Sequence, residues 1–275
     1  MDHLINYFET VPSLHRGLIL AGGIAFFWII ESINPFFKFN YSKIHHAGIN
    51  LFFTLTTIII NFALAFILLE TAEFVSKKEF GILQWLPLMN IWVYTIFGLL
   101  LLDFFGAYLA HFVEHRVKFL WRFHLIHHTD TYIDTTSGNR HHPGESVIRF
   151  IFTTFGVLIV GSPMWMVFLY QTLSVVATQF THANICLPKK LDKFMSYLLV
   201  SPDMHKIHHH YKLPYTDSNY GNIFSVWDRI FGTFSYLKRE EIIYGVDTHM
   251  NPKENNELIP LLKIPFQKTR SPQEN

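Results

Sequence analysis

The chain is short of charge. Asp, Glu, Lys and Arg make up 16% of its 275 residues, where a soluble domain carries about 25%. The charges nearly cancel, 22 Lys and Arg against 21 Asp and Glu, so nothing draws it electrostatically to nucleic acid. A single cysteine, Cys186, excludes a disulfide framework and a cysteine-based zinc site. The opening "MDHLINYFET" lacks a basic stretch leading into a short apolar core, so no cleaved signal peptide is expected. No internal repeat stands out beyond a recurring histidine spacing. What abounds is apolar: half of the residues are hydrophobic and 28 are Phe. That balance belongs to an integral membrane protein.

A helix crosses a bilayer with about 20 mostly apolar residues. Four regions qualify, at 17–33, 47–70, 90–112 and 150–180. The last is too long for one crossing and is broken by Gly161-Ser162-Pro163, a turn signal. Histidine-rich stretches precede it at 111–128 and follow it at 205–209. One crossing between them would hold them about 30 Å of hydrocarbon apart, whereas a hairpin turning at 161–163 returns the chain to the side it left. The expected fold is therefore an all-α integral membrane helical bundle. It has four membrane-embedded helical regions, the last a hairpin, under a histidine-rich cap. Lys and Arg concentrate in 116–149 and 189–212, so the positive-inside rule places the cap in the cytoplasm. The membrane would be a bacterial inner membrane or, in a eukaryote, the endoplasmic reticulum. Residues 1–250 read as one domain with a histidine core at about 90–240, and 251–275 as a polar, peripheral tail.

The histidines recur in phase. "HFVEH" sets His111 and His115 four apart, "HLIHH" sets His124, His127 and His128, and "HKIHH" repeats that spacing at His205, His208 and His209. Residues three and four apart share a helix face. Any one cluster could be an ordinary set of core histidines or a solvated run. Three in phase, all at span ends, point to metal, and eight imidazoles suit two ions better than one. Imidazole ligation is open to Zn, Cu, Fe and Ni. A zinc hydrolase of the H-E-x-x-H type needs Glu directly after the first His, and Phe112 stands there. The Glu-x-x-His pairs of soluble di-iron bundles are missing as well.

The stretch "DFFGAYLAHFVEHRVKFLWRFHLIHHTDTYIDTTSGNRHHPGE" (103–145) resembles the heart of the fatty acid hydroxylase superfamily, which includes the sterol desaturases. So does "SPDMHKIHHHYKLPYTDSNYGNIFSVWDRIFGTF" (201–234). The three histidine boxes, Arg140-x-His142-Pro143-x-Glu145, Asn219-Tyr220-Gly221 and the Trp227-to-Thr233 signature fall in family order over about 90–240. Phe112 departs from the Arg that many members have. The resemblance implies a membrane-embedded non-haem di-iron oxygenase. Such an enzyme spends O2 and external electrons on hydroxylating or desaturating a C–H bond of a lipid, with zinc able to replace iron in purified protein. Fatty acyl chains, sterols, sphingoid bases, carotenoids and alkylglycerol ethers all occur as family substrates, and the residues do not choose among them.

By the same resemblance His182 and His142 complete the metal shell. His141 and His210 are expected to be bystanders. "HPGE" at 142–145 departs from the His-Pro-Gly-Gly of a cytochrome b5 haem site, so electrons are expected from a separate partner of cytochrome b5, ferredoxin or reductase type. Arg116, Lys118, Arg122, Lys189, Lys190 and Lys206 are basic residues able to meet an acidic partner. Asp103 lies eight residues before His111, two helical turns, and is expected to orient a ligand, since ligating histidines usually donate their second N–H to a carboxylate. Glu145 and Asp217 are expected in the same supporting role, with Glu114 and Asp228 behind them. The competing reading is a histidine-rich metal transporter, which would place ligands in mid-span and not at span ends.

Overall fold

The computed structural model describes residues 1–272, and the regular elements among them are helical. In chain order these begin α1 (Asp2–Glu9), α2 (Ser13–Ile33), α3 (Lys43–Lys78) and α4 (Ile91–Arg116), the last including a π-helical turn at Phe104–Tyr108. They continue with α5 (Lys118–His128), α6 (Pro143–Val160) and α7 (Met164–His182). Helices α2, α3, α4 and α6 are long and apolar enough to cross a membrane.

Helix α3 has 36 residues, about 54 Å at 1.5 Å per residue, which exceeds a hydrocarbon core of about 30 Å. Its surplus is at the cap end, where Ser42 caps the first turn and His46 and Asn50 are buried among polar partners. Further along, Leu55, Ile59, Phe62 and Phe66 face outward, as lipid contact requires. The expected hairpin is present. Helix α6 stops at Gly161 in a left-handed conformation (φ 76°), and Pro163 begins α7. The turn rests on Gly81 just beyond α3, which also has positive φ, and a Cβ there would lie 2.5 Å from the Gly161 Cα. Only glycine permits that contact at that dihedral. Because the turn is level with the far end of α3, both arms run the depth of the bundle and bring the chain back to the histidine side.

Two later helices matter for the site: α8 (Pro202–His208) and α9 (Leu258–Lys263). The tail expected to be peripheral is docked. Leu261 and Ile264 are buried against Ile49, Phe53, Leu125 and Ile126. Arg140 Nη2 donates to the carbonyl of Asn255 at 2.6 Å. The polar composition of 251–275 conceals the apolar run "LIPLLKIPF" at 258–266, and burying that run holds the segment over α5.

Candidate metal centre

Four chain segments deliver the histidines to one place. Helix α4 ends in His111 and His115, α5 in His124, His127 and His128, α7 in His182, and α8 and the residue after it carry His205, His208 and His209. Their nitrogens form two groups. One contains His111, His115, His124, His128 and His208, the other His127, His182, His205 and His209, and within each the candidate ligand atoms lie within 4.8 Å of one another. All nine are buried.

The outer nitrogens fix most of the tautomers. Nδ1 donates to the Tyr220 carbonyl from His111 (2.9 Å), to Asp217 from His115 (3.2 Å), to Glu145 from His124 (2.7 Å) and to the Ser218 carbonyl from His208 (2.6 Å). In the second group His182 Nδ1 donates to the Thr178 carbonyl at 2.8 Å. Each of these rings therefore turns a bare Nε2 lone pair inward. Nε2 of His124 lies 3.1 Å from Nε2 of both His111 and His128, and Nε2 of His182 lies 3.2 Å from His127 and 3.0 Å from His205. His111 and His124 are two neutral rings whose Nδ1–H is already spent, so they cannot hydrogen-bond to each other through Nε2. Their lone pairs repel unless a cation sits between them. Burial disfavours the proton as that cation and pushes the His124 imidazolium down to about 3. A metal–nitrogen bond of about 2.1 Å puts neighbouring ligands about 3.0 Å apart at right angles. The donor set and spacing fit two metal ions.

Around the histidines lies a charged layer. Glu145 receives His124 and is also bound by Arg149 Nε at 2.9 Å, while Arg149 Nη2 reaches Glu114 at 2.9 Å. One guanidinium thus ties α4 to α6 behind His124. His127, His128, His205 and His209 have no partner for Nδ1 among the described residues and are held by ring packing, His128 on His209 at 4.7 Å for example.

A profile described as fatty acid hydroxylase matches residues 95–233. The chain belongs to the fatty acid hydroxylase family. An ornithine lipid hydroxylase of Rhizobium tropici is 27% identical over 141 residues, 51% of this chain and 41% of that protein. An alkylglycerol monooxygenase of Caenorhabditis elegans is 29% identical over 170 residues, 60% of this chain and 32% of that protein. A methylsterol monooxygenase of Arabidopsis thaliana is 28% identical over 140 residues, 50% and 52%. The chain thus spans between about a third and half of the length of these curated relatives. No solved structure matches it.

Against that family background, several expected site residues stand elsewhere. His142 is outside both groups, and its Nδ1 accepts the Gly144 backbone N–H at 3.0 Å to cap α6. Its neighbour His141, expected to be a bystander, stacks on His127 at 4.8 Å with Nδ1 2.7 Å from Glu145. Asp103 touches no metal-site histidine: it accepts the amides of Ile223 and Phe224, both at 3.2 Å. Eight residues amount to about 12 Å along a helix, beyond the reach of an Asp side chain, so sharing a face was not enough. Asp228 accepts the amides of Tyr220 and Gly221 and so holds the loop that receives His111. Lys206, expected at a docking face, is fully buried.

Sequence reasoning also passed over His46 and Arg149. His46 bridges Asp130 at 2.9 Å and Asp134 at 3.2 Å, fixing the loop after α5. Burial alone would raise the Asp130 carboxyl, but His46 and Arg140 hold it well below the usual carboxylate range. Arg149 was within reach of sequence reasoning, since it follows Glu145 by one helical turn.

Proposed function

We propose that this chain is a lipid hydroxylase that works with two irons. One would be held by His111, His115, His124, His128 and His208, the other by His127, His182, His205 and His209. The observation that supports it most is the facing lone pairs of His111 and His124, 3.1 Å apart with both Nδ1 protons committed, in a cluster where His115, His208 and His182 commit theirs to Asp217, Ser218 and Thr178. Bound there, an iron pair would supply the reduction of O2 and the attack on an unactivated C–H bond that no side chain can perform.

The chain's own residues do the rest. The Nδ1 acceptors orient the rings. Glu114, Glu145 and Asp217 offset cationic charge that neutral imidazoles leave uncompensated. Burial of all nine rings keeps bulk water out. The names of the relatives, an ornithine lipid hydroxylase, an alkylglycerol monooxygenase and a methylsterol monooxygenase, share oxygen insertion into a lipid, which favours hydroxylation over desaturation. Electrons would come from a partner of cytochrome b5, ferredoxin or reductase type. Exposed Arg116 and Lys118 offer it a basic face. That face is cytoplasmic under the positive-inside rule, and residues 1–250 with the docked tail act as one domain.

Metal content tests the reading. Protein purified from iron-replete cells should hold two irons per chain, and His127→Ala, which leaves the second group three histidines, should lose at least one. A single metal or none in the wild type would overturn the dinuclear site. Two metals without any hydroxylated lipid in expressing cells would sink the reaction and leave the site standing.

A further inference from the structure

We propose that residues 189–199 and 226–231 form a platform that sinks into the bilayer leaflet on the histidine side and presents lysines to anionic lipid phosphates. Residues 189–199, "KKLDKFMSYLL", are amphipathic in the wrong sense for water. The inward positions are polar: Asp192 and Ser196 are buried, with Asp192 accepting the Ser201 hydroxyl at 2.6 Å and the Asp203 amide at 3.1 Å. The outward positions are apolar, with Leu191 49%, Phe194 76%, Tyr197 52% and Leu198 70% exposed. An aqueous face of that kind would be a costly apolar patch; in lipid it is the expected arrangement. Lys189, Lys190 and Lys193 share the segment, the basic complement of an interfacial helix.

Depth is what separates this from an ordinary surface patch. Leu199 bridges to Phe224, whose amide donates to Asp103. Asp103 lies midway along the spanning helix α4, about 12 Å below His111 at 1.5 Å per residue. The neighbouring Val226–Ile230 helix is at the same level. Trp227 and Phe231 pack on Phe104 of α4 at 4.9 and 5.4 Å, and Arg229 donates to the Ser196 carbonyl at 2.7 Å. Ile230 and Phe231 are then also turned outward. A segment tied to the middle of a membrane span, with apolar side chains facing away from the protein, meets acyl chains. Its hydrogen bonds to Ser201 and Asp203 attach it to the start of α8, so this lipid contact is one helical turn from His205.

Nitroxide accessibility tests the placement without reference to catalysis. The full chain with Cys186→Ser would be labelled at Phe194→Cys or Leu198→Cys in nanodiscs of phosphatidylcholine and phosphatidylglycerol, with exposed Lys253→Cys as the water-facing control. Both platform sites are exposed, so labels disturb no packing. The expected result is high collision with O2 and chelated nickel access several-fold below Lys253. Nickel access equal to that at Lys253 would overturn the proposal. So would low collision with both reagents, which would mean that another protein copy covers the face.

Discussion

Replacing Glu145 by Gln separates two contributions that a carboxylate makes at once. Its Oε1 accepts Nδ1–H of His124 at 2.7 Å and Arg149 Nε at 2.9 Å. A Gln oxygen can still accept the His124 proton, so ring orientation survives while the negative charge is removed. Arg149 keeps Glu114 at 2.9 Å, and the layer loses one negative charge. Losing one ordinary neutral hydrogen bond would cost about 0.5–1.5 kcal/mol, but that bond is retained. What is lost is the charged partner of a ligand, which costs about 10–100-fold in metal affinity, or about 1.4–2.7 kcal/mol. The loss should fall on the five-histidine group alone, because none of His127, His182, His205 and His209 contacts Glu145. Cobalt(II) titration of metal-free protein, followed by its visible absorption, reads two binding steps; one should weaken and the other stay. Glu145→Ala, which also abandons the ring, should weaken the same step further. A Gln variant whose two steps both shift by well under tenfold would show that orientation and not charge is what Glu145 provides.

Three further perturbations follow from buried contacts. Arg140 is fully buried and donates to the carbonyls of Ile126 and Asn255 and to Asn50 and Thr129. Arg140→Met should cost about 1–3 kcal/mol for each buried acceptor left unpaired, and a thermal midpoint equal to wild type would refute it. Gly81→Ala places a Cβ 2.5 Å from Gly161 at φ 108°, so strain of about 1–3 kcal/mol from the dihedral adds to a backbone clash; wild-type thermal stability would mean that the hairpin turn is not seated there. His249 is pushed down to about 4, by burial first and by Arg270 second, from about 6.5 in the unfolded chain. The unfolded state then binds the proton better. Its contribution is complete above pH 6.5 and is lost as pH falls from 6.5 through 4. His249→Gln should flatten that part of the thermal-midpoint profile, and profiles of identical slope would refute it.

Much of this was legible because the signals are local. The three boxes announce themselves by spacing, and Gly161-Ser162-Pro163 together with the need to reunite them required a hairpin. Glu145 stands in the Arg140-x-His142-Pro143-x-Glu145 element that the sequence displays. What stayed hidden depends on distance in three dimensions. Asp103 shares a sequence interval with His111 but not a depth. His141 and His142 are adjacent, and only the packing of α6 against α5 decides that one caps a helix while the other stacks on His127. The tail looked peripheral because eight apolar residues were averaged into a polar segment.

The split of the boxes explains their spacing. At 3.6 residues per turn, positions i and i+4 diverge by about 40°, while i+3 lies about 100° from i+4. A box for a single ion would need only i and i+4, as His111 and His115 supply. In H-x2-HH the third histidine points to a second site beside the first. His124 and His128 join one group while His127 joins the other, and in the later box His205 and His209 join the second group while His208 crosses to the first. The two boxes are thus used in opposite senses, each lending one ring to the other's group. That reciprocity holds the groups side by side, with rings of His128 and His209 4.7 Å apart, and makes α5 and α8 mutually dependent. Loss of either middle histidine, His127 or His208, therefore removes a ring from the group that its own helix does not dominate.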